Sequence, residues 1–272
     1  MSVLFIGGGN MGRALVGGLL AQGRAREDIV VVEQDAAARA RLEGEFGVRA
    51  AAAVDAGLTA AAQTILLAVK PQNLREVARG LAPLLAGQLV ISIAAGIRLA
   101  DLSRWLGGHD NLIRVMPNTP ALIRRGIAGL HAGPAVGAAA RATAEDILGA
   151  VGDTLWCERE AQLDAVTAVS GSGPAYLFYV LEALIEAGEA LGFGPEEARR
   201  LAYATAGGAV ALAQQSAETP AVLRAQVTSK GGTTAAAVAV LEERAVKAAF
   251  VAAIRAADAR SAELGDLLGR DD

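Results

Sequence analysis

The chain has 272 residues, of which 53% are hydrophobic, and a formal net charge of −4. This hydrophobic content excludes a largely disordered chain, and the negative charge gives no general reason to expect nucleic acid or an anionic membrane as a partner. The single cysteine, Cys157, excludes an internal disulfide and a thiolate metal cluster.

The sequence shows no charged segment followed by a long apolar run, as a secretory signal would require. Charges, glycines and prolines interrupt the apolar stretches before they reach the roughly 20 residues that span a bilayer. We therefore expect a soluble, cytoplasmic protein that acts on a small molecule, with no membrane, nucleic-acid or metal partner.

The first part of the chain alternates short β-branched runs with helix-length segments rich in Ala, Leu, Arg and Glu. The predicted strands lie at 3–6, 29–33, 64–69, 89–93 and 112–116. A weaker strand, helix and strand follow at 127–131, 135–151 and 154–156. Because the strands lack polar alternation, the pattern predicts an α/β fold with a doubly wound parallel sheet covered by helices on both faces.

From about residue 160 the pattern becomes helical. Apolar residues recur at helical spacing over 162–169, 175–191, 196–216, 233–243 and 245–268. The stretch 201–217 carries no charge and is apolar on most faces, so a helix there must be buried, either by a second subunit or within its own chain. We favour the second subunit, which predicts a homo-oligomer.

A glycine-rich loop follows the first predicted strand. The letters GGGNMG at 7–12 fit the pattern G-x-G-x-x-G between a strand and a helix. In this pattern Gly7 allows a tight turn, Gly9 lets a pyrophosphate approach the backbone, and Gly12 lets helix and strand pack closely. The loop predicts a Rossmann-type dinucleotide site.

The second predicted strand ends at Glu33. An acid at this point can bind the ribose 2′-OH of NAD and would repel a 2′-phosphate, which Arg39 or Arg41 could instead neutralise. Two further loops follow strands, AVKP at 68–71 and AAG at 94–96. Lys70 lies at the mouth of the predicted crevice, although an exposed loop lysine is the simpler interpretation.

Two helical-region segments are rich in glycine and hydroxyl groups, SGSGP at 170–174 and TSKGGTT at 228–234. The second leads into a predicted helix, so its backbone N–H groups and hydroxyls are typical of a site for a carboxylate. Simple capping by Thr233 or Thr234 is the alternative, but capping needs only a single hydroxyl.

The available side chains favour an imine over a ketone as the hydride acceptor. A ketone generally needs a proton donor such as Lys or His, and 162–191 contains neither. His109 and His131 lie in a turn and at a strand end, where we expect structural roles. An imine is basic enough to arrive protonated, so it requires only cofactor positioning, a carboxylate anchor and nearby hydroxyls.

At these residues the chain resembles pyrroline-5-carboxylate reductases. The run VTSKGGTTAAAV at 227–238 is similar to the family signature, and DAVTAVSGSGPAY at 164–176 resembles a second specific stretch. Shorter segments at 68–71, 92–96 and 114–120 match as well. The resemblance covers essentially the whole chain, in order.

This resemblance implies reduction of L-1-pyrroline-5-carboxylate to L-proline, the last step of proline biosynthesis, with NADPH as cofactor and NADH also plausible. It implies an NAD(P)-binding Rossmann domain at 1–158 and an all-α dimerisation and substrate-binding domain at 159–272. Homodimers in this family often assemble further, commonly into decamers.

The resemblance also implies roles for individual residues. Thr234 would hydrogen-bond the substrate nitrogen, with Ser229 in support. The substrate carboxylate would be held by backbone amides of Gly231, Gly232, Thr233 and Thr234. Cofactor contacts would fall on Ile6, Gly7, Gly8, Gly9, Asn10, Met11, Ala68, Val69, Lys70, Pro71, Ala94, Ala95 and Gly96.

Two residues depart from the family pattern. Lys230 stands where proline is usual, and Glu33 replaces a position that is often small or polar in NADPH-preferring members. The alternatives are a related cyclic-imine reductase, a β-hydroxyacid dehydrogenase and a non-catalytic NAD(P)-binding regulator. The dehydrogenase would want a lysine on the interdomain helix, and the regulator would need no Ser/Thr-Gly loop.

Overall fold

Residues 2–270 are described by a computed structural model, in which the chain forms two compact units. The sheet unit contains the residues up to Ser172 and those from Ala257 onwards. The helical unit comprises Gly173–Ala256. These units differ from the predicted ranges 1–158 and 159–272, and the functional boundary after residue 158 stays a prediction.

The sheet unit is built on eight strands in the order β3-β2-β1-β4-β5-β6-β7-β8. Their bounds are β1 (Val3–Ile6), β2 (Ile29–Val32), β3 (Arg49–Ala51), β4 (Thr64–Leu67), β5 (Leu89–Ser92), β6 (Leu112–Met116), β7 (Gly126–Ala132) and β8 (Gly152–Trp156). The first six follow the strand order of dinucleotide-binding sheets, whose order reverses between β1 and β4. The predicted doubly wound fold is confirmed, and the predicted strands agree with these bounds to within two residues at each end.

Two details of the sheet differ from the prediction. The sheet is not wholly parallel, because β7 runs antiparallel to β6, whereas β8 is again parallel to β7. The short strand β3 was not predicted, since it has three residues and begins with the exposed Arg49.

Helices cover both faces of the sheet. In the sheet unit they are α1 (Asn10–Ala21), α2 (Ala36–Phe46), α3 (Ala56–Ala61), α4 (Pro71–Leu81), α5 (Leu99–Trp105), α6 (Ala138–Gly149) and α7 (Gln162–Val166). Alternate residues of β1 enter different cores. Val3 and Phe5 pack with α1 and α6, whereas Leu4 and Ile6 pack with α4 and α5. This two-sided burial explains why the strands read as continuous apolar runs.

The helical unit contains five helices. They are α8 (Gly173–Ala190), α9 (Pro195–Gln215), α10 (Pro220–Gln226), α11 (Thr233–Glu243) and α12 (Val246–Leu268), the last of which continues into the sheet unit. The short α10 was not predicted as a helix, although Pro220 marks its first turn. Within this unit's described residues, the buried hydrophobic side chains are Ala198 and Ala202 alone.

A π-helical turn at Thr167–Gly171 follows α7 directly, and α8 begins at Gly173. The combined segment Gln162–Ala190 is long and apolar enough, by length and composition, to cross a membrane. The expectation that glycine and proline interrupt every such stretch was therefore wrong here, because Gly173 and Pro174 begin a helix instead of ending one. Buried core helices of soluble proteins also meet this criterion, but only 6% of the tested window is buried within this chain.

A buried polar cluster anchors the end of α12 within the sheet unit. The Ser261 hydroxyl donates to Asp164 Oδ1 over 2.9 Å. Arg98 and Arg114 guanidinium nitrogens lie 3.7 and 3.8 Å from the same carboxylate, and Arg114 Nη1 lies 3.1 Å from Glu160 Oε1. Asp164, Arg114 and Ser261 are buried, so each charge depends on its neighbours for compensation.

Candidate functional site

The glycine-rich loop joins β1 to α1 at the carboxyl edge of the sheet. Gly7 has a φ of +108°, which favours glycine, and a Cβ atom there would lie 2.5 Å from the Ala68 carbonyl oxygen. A Cβ atom on Gly12 would lie 2.5 Å from the Gly7 carbonyl oxygen. Both glycines therefore allow close backbone packing, as their positions in the motif predict.

Gly9 differs from its neighbours because it faces open space. Within residues 2–270, and apart from Gly9 and its two chain neighbours, no heavy atom lies within 4 Å of the position that a Cβ on Gly9 would take. Gly9 caps α1, whose described first turn carries neither a capping side chain nor an acidic residue. The N–H groups there and the positive end of the helix dipole are available to an anion. The loop thus fits the pyrophosphate of a dinucleotide.

Glu33 follows β2 directly and points towards the glycine-rich loop. Its Oε2 accepts the Gly8 N–H over 2.9 Å, and its Oε1 accepts the Asp35 N–H over 3.0 Å. Arg39 lies beside the same strand end, where its Nη1 donates to the carbonyl oxygens of Glu33 and Gln34, both over 2.7 Å. Arg41, the other predicted cation, is exposed on α2.

A cavity of about 680 Å³ opens at the carboxyl ends of β1, β2 and β4. Such edges are where ligands bind in doubly wound sheets. Of the predicted cofactor residues, it is lined by Ile6, Gly7, Gly9, Glu33, Ala68, Val69 and Lys70. The other predicted cofactor residues, which do not line it, are Gly8, Asn10, Met11, Pro71, Ala94, Ala95 and Gly96.

Sequence reasoning missed about half of the cavity wall. The missed lining residues are Val32, Gln34, Ala52, Ala53, Val54, Asn73, Glu76, Val77, Gly80 and Leu84. The loop after β3 could not be expected once that strand was overlooked. Glu76, Val77 and Gly80 lie three, four and seven residues after Asn73 and so share one face of α4. This helical spacing was the signal from which these lining residues could have been predicted.

The Ala94–Gly96 loop lies at the end of β5, against the last turns of α12. Ala94 is buried, and its N–H donates to Ser92 Oγ over 3.4 Å. Gly96 has a φ of +79°, and a Cβ atom there would lie 3.1 Å from Leu268 Cδ1. The end of α12 therefore lines this loop, a contact that the sequence did not reveal.

In the helical unit, the predicted substrate loop joins α10 to α11. The Gly232 N–H donates to the Ser229 carbonyl over 3.0 Å, which closes a turn through Gly231 at a φ of +72°. Gly232 then caps α11, and in its described first turn α11 has no side-chain cap and no acidic residue. Thr233 is the first residue of α11, but neither threonine hydroxyl caps the helix, so the helix start is suited to an anion.

The side chains of this loop differ in exposure. Ser229, Lys230 and Thr233 are exposed, whereas Thr234 is half-buried. The remaining hydroxyl of the loop, Thr228, is already engaged, since its Oγ1 donates to the Arg224 carbonyl over 2.6 Å. The loop therefore brings together the backbone amides and hydroxyls that were predicted to bind a carboxylate.

The second hydroxyl-rich segment, 170–174, overlaps the last two residues of the π-helical turn. Asn118 Nδ2 donates to the Ser170 carbonyl over 3.2 Å, while Asn118 Oδ1 accepts the Ile127 N–H over 3.0 Å. A Cβ atom on Gly171 would lie 2.6 Å from Met116 Cε. π-helical turns are frequent at functional sites, and this one is fixed by an asparagine that sequence reasoning did not select.

Both histidines have structural partners, as expected. His109 Nε2 lies 2.8 Å from the Gln88 carbonyl oxygen, and His131 Nδ1 lies 2.9 Å from that of Cys157. Burial raises the pKa of the Cys157 thiol above its ordinary value. Across the part of the chain that the structure describes, no cluster of three or more His, Cys, Asp or Glu residues could hold a metal ion.

Family models match both parts of the chain. Residues 2–96 match "NADP oxidoreductase coenzyme F420-dependent", and residues 160–264 match "Pyrroline-5-carboxylate reductase dimerisation". The helices that expose their apolar side chains therefore fall within a dimerisation model, which assigns oligomerisation to the C-terminal region.

Similar proteins agree with these models over the full chain. Pyrroline-5-carboxylate reductase of Pseudomonas aeruginosa is 46% identical over 98% of both chains, and that of Pasteurella multocida is 40% identical over 98% of both. A pyrroline-5-carboxylate reductase structure from Coxiella burnetii has a TM-score of 0.91, 38% identity, and coverage of 97% of this chain and 98% of its own. A Plasmodium falciparum pyrroline carboxylate reductase with NADP bound gives a TM-score of 0.86 and 27% identity, over 97% and 98% of the chains. This chain is an oxidoreductase that belongs to the pyrroline-5-carboxylate reductase family.

Proposed function

We propose that the protein reduces L-1-pyrroline-5-carboxylate to L-proline with NADPH, or with NADH as a second donor, in the last step of proline biosynthesis. The observation that carries this proposal is the uncapped start of α11 directly after the Ser229–Gly232 turn. A free helix start with adjoining hydroxyls suits a small carboxylate whose ring nitrogen needs a hydrogen-bond acceptor.

The loop would hold the substrate at both of its polar ends. Backbone N–H groups of Gly231, Thr233 and Thr234 bind the carboxylate, whereas the Gly232 N–H, which was also predicted to bind it, donates to the Ser229 carbonyl instead. The half-buried Thr234 hydroxyl contacts the ring nitrogen, and Ser229 supports the turn through its backbone hydrogen bond to Gly232. Lys230, exposed in the same turn, adds positive charge near the carboxylate.

The sheet unit would hold the dinucleotide along the cavity described above. The start of α1 and Gly9 bind the pyrophosphate, while Glu33 lies on the ribose side and the 68–71 and 94–96 loops extend the same edge. When bound, the reduced nicotinamide supplies the hydride that reaches the carbon of the C=N bond.

No side chain of the chain has to supply a proton in this reaction. The ring nitrogen carries its proton into the site, so hydride addition to carbon yields the neutral secondary amine directly. The two histidines have backbone partners elsewhere, and 162–191 contains no lysine, which disfavours a β-hydroxyacid dehydrogenase. The protein's contribution is to bind and orient, and a well-oriented pair can recover several kcal/mol of the barrier, about 7 or more.

We also propose a homodimer formed through the helical unit, with dimers assembling further into decamers, in a soluble, cytoplasmic enzyme without membrane or nucleic-acid partners. The exposed apolar side chains of α8 and α9 support the dimer, because such patches on a soluble chain mark association surfaces. Dimer burial also accounts for the apolar character of 162–190 without a bilayer.

Replacing the Thr234 hydroxyl tests the proposal. Thr234→Ala should lower turnover of pyrroline-5-carboxylate by about tenfold or more, because one hydrogen bond to a charged group of the substrate is lost. The affinity for the dinucleotide should stay unchanged. Steady-state NADPH oxidation, proline quantification and calorimetric titration with NADP+ give the three readouts.

Thr228→Ala is the matched control, because that hydroxyl lies in the same loop but donates to the Arg224 carbonyl. Thr228→Ala should retain most of the turnover, and Thr234→Ser should restore much of it. Equal losses for both alanine variants would show that the hydroxyl of Thr234 has no special role. Absence of proline formation by the unmodified protein with either cofactor would refute the proposed reaction itself.

A further inference from the structure

The carboxylate of Glu33 occupies a position where it can both hold the glycine-rich loop and meet a ribose. It lines the 680 Å³ cavity at the end of β2. Each carboxylate oxygen accepts one backbone N–H, from Gly8 and from Asp35. An ionised carboxylate has about four acceptor sites, so roughly two remain for the hydroxyls of a ligand.

The charge at this strand end is balanced in an unusual way. Arg39 is directed at backbone carbonyls of residues 33 and 34 and forms no ion pair with the Glu33 carboxylate among the described contacts. The negative charge of Glu33 is thus compensated mainly by backbone N–H groups. A second negative charge placed beside it would be repelled, because charges a few ångströms apart at a protein surface interact strongly.

We propose that Glu33 discriminates between the two nicotinamide dinucleotides, accepting the ribose 2′-OH of NAD(H) and opposing the 2′-phosphate of NADP(H), while Arg39 partly offsets that opposition. This inference rests on the proposed function, since it names the residue that sets cofactor preference at the same site. Beside these two charges lies the exposed Asp35 carboxylate, whose Oδ1 accepts the Ala38 N–H at the start of α2. The balance between the Glu33 carboxylate and the Arg39 guanidinium determines how well each dinucleotide binds.

A purely structural role for Glu33 makes a different prediction. If the carboxylate only held Gly8 and Asp35, its removal would loosen the loop that faces the pyrophosphate. Because both dinucleotides share that pyrophosphate, their affinities would fall together. The ratio of the two dissociation constants therefore separates recognition from support, whatever the absolute affinities are.

Glu33→Gln is the decisive variant, because it removes the charge and keeps one oxygen that can accept a backbone N–H. Calorimetric titrations with NAD+ and NADP+ should show weaker NAD+ binding and tighter NADP+ binding, with a shift of the Kd ratio of about tenfold or more in favour of NADP+. Glu27→Gln is the matched control. Glu27 is exposed just before β2, at the opposite end of the same strand, and its substitution should leave the ratio unchanged.

Arg39→Gln supplies an independent test that does not alter Glu33. Without the guanidinium, NADP+ binding should weaken by about tenfold and NAD+ binding by much less. Far-UV circular dichroism of each variant verifies folding. A Kd ratio unchanged in both variants, or shifted towards NAD+ by Glu33→Gln, would overturn the inference. If the unmodified protein bound neither dinucleotide, the proposed function would fail and this inference would fail with it. If the protein bound both dinucleotides and turned over the substrate, but the variants left the ratio of the two dissociation constants unchanged, only this inference would be overturned.

Discussion

The sheet unit and the helical unit bury their apolar side chains to very different degrees. In the sheet unit, β1, β4 and β5 are buried along their whole lengths, and two cores fill the space on either face. In the helical unit, large side chains remain open to solvent, with Tyr179 71% and Leu191 81% exposed. A single chain therefore buries the apolar side chains of the sheet unit but leaves many of those of the helical unit exposed to solvent.

This difference shows where stability is intrinsic and where it depends on association. A sheet covered on both faces has buried its apolar surface within one chain. Helices that leave Leu177, Leu201 and Leu212 half-exposed or more must bury them against another copy, and the C-terminal region belongs to a dimerisation family. Stability of the helical unit should therefore depend on protein concentration, whereas that of the sheet unit should not.

The largest effect is expected from a charge on the exposed helical surface. Leu212 is 59% exposed and lies in the uncharged stretch of α9. In a symmetric dimer Leu212→Asp would bury a carboxylate from each subunit, so the dimer dissociation constant should rise by at least about a hundredfold. Sedimentation velocity over a range of protein concentrations measures this shift.

Leu155→Asp is the control for that variant. Leu155 is 53% exposed on β8, outside the residues that match the dimerisation model. The same substitution there should leave the sedimentation coefficient of the oligomer unchanged. A Leu212→Asp protein that stays as fully associated as the Leu155→Asp protein would mean that α9 does not form the interface.

A smaller but still large effect is expected from truncation inside the sheet unit. Leu66 is fully buried in β4, and Leu66→Ala should lower the free energy of unfolding by about 2–5 kcal/mol, because a cavity replaces its side chain. Urea denaturation should give the same loss at every protein concentration. Leu212→Ala should instead lower the free energy of unfolding more at low than at high protein concentration. If the losses for both variants depended on protein concentration in the same way, the proposed difference between the two units would be wrong.

The sequence predicted the sheet unit well because its signals are local. The apolar runs marked seven of the eight strands, and the glycine spacing marked the turn that Gly7 and Gly12 make possible. For the helices, the uncharged stretch 201–217 correctly indicated surface that this chain does not bury. These features follow from periodicity and composition, which a single sequence contains.

Other features required the folded chain because they join distant residues. The antiparallel direction of β7 cannot be read from its composition, and the cavity residues on α4 and after β3 appear only once the strand ends are aligned. Likewise, the return of α12 to the sheet unit depends on Ser261 meeting Asp164, 97 positions earlier in the chain. No helical periodicity distinguishes that serine from an exposed one.

The smallest effect, and the finest test of the comparison, is expected at this last contact. Ser261→Ala removes the hydroxyl that donates to the buried Asp164 carboxylate. The guanidinium nitrogens of Arg98 and Arg114 lie 3.7 and 3.8 Å from this carboxylate, which is too far to replace a direct hydrogen bond. The free energy of unfolding should fall by about 1–3 kcal/mol, independent of protein concentration because the contact belongs to the sheet unit. Arg260→Ala, which breaks only an exposed pair with Glu263 on the same helix, should cost less than about 1 kcal/mol. If both variants lost the same free energy of unfolding in chemical denaturation, the buried cluster would not anchor the end of α12. The end of α12 would then not gain its stability from the sheet unit.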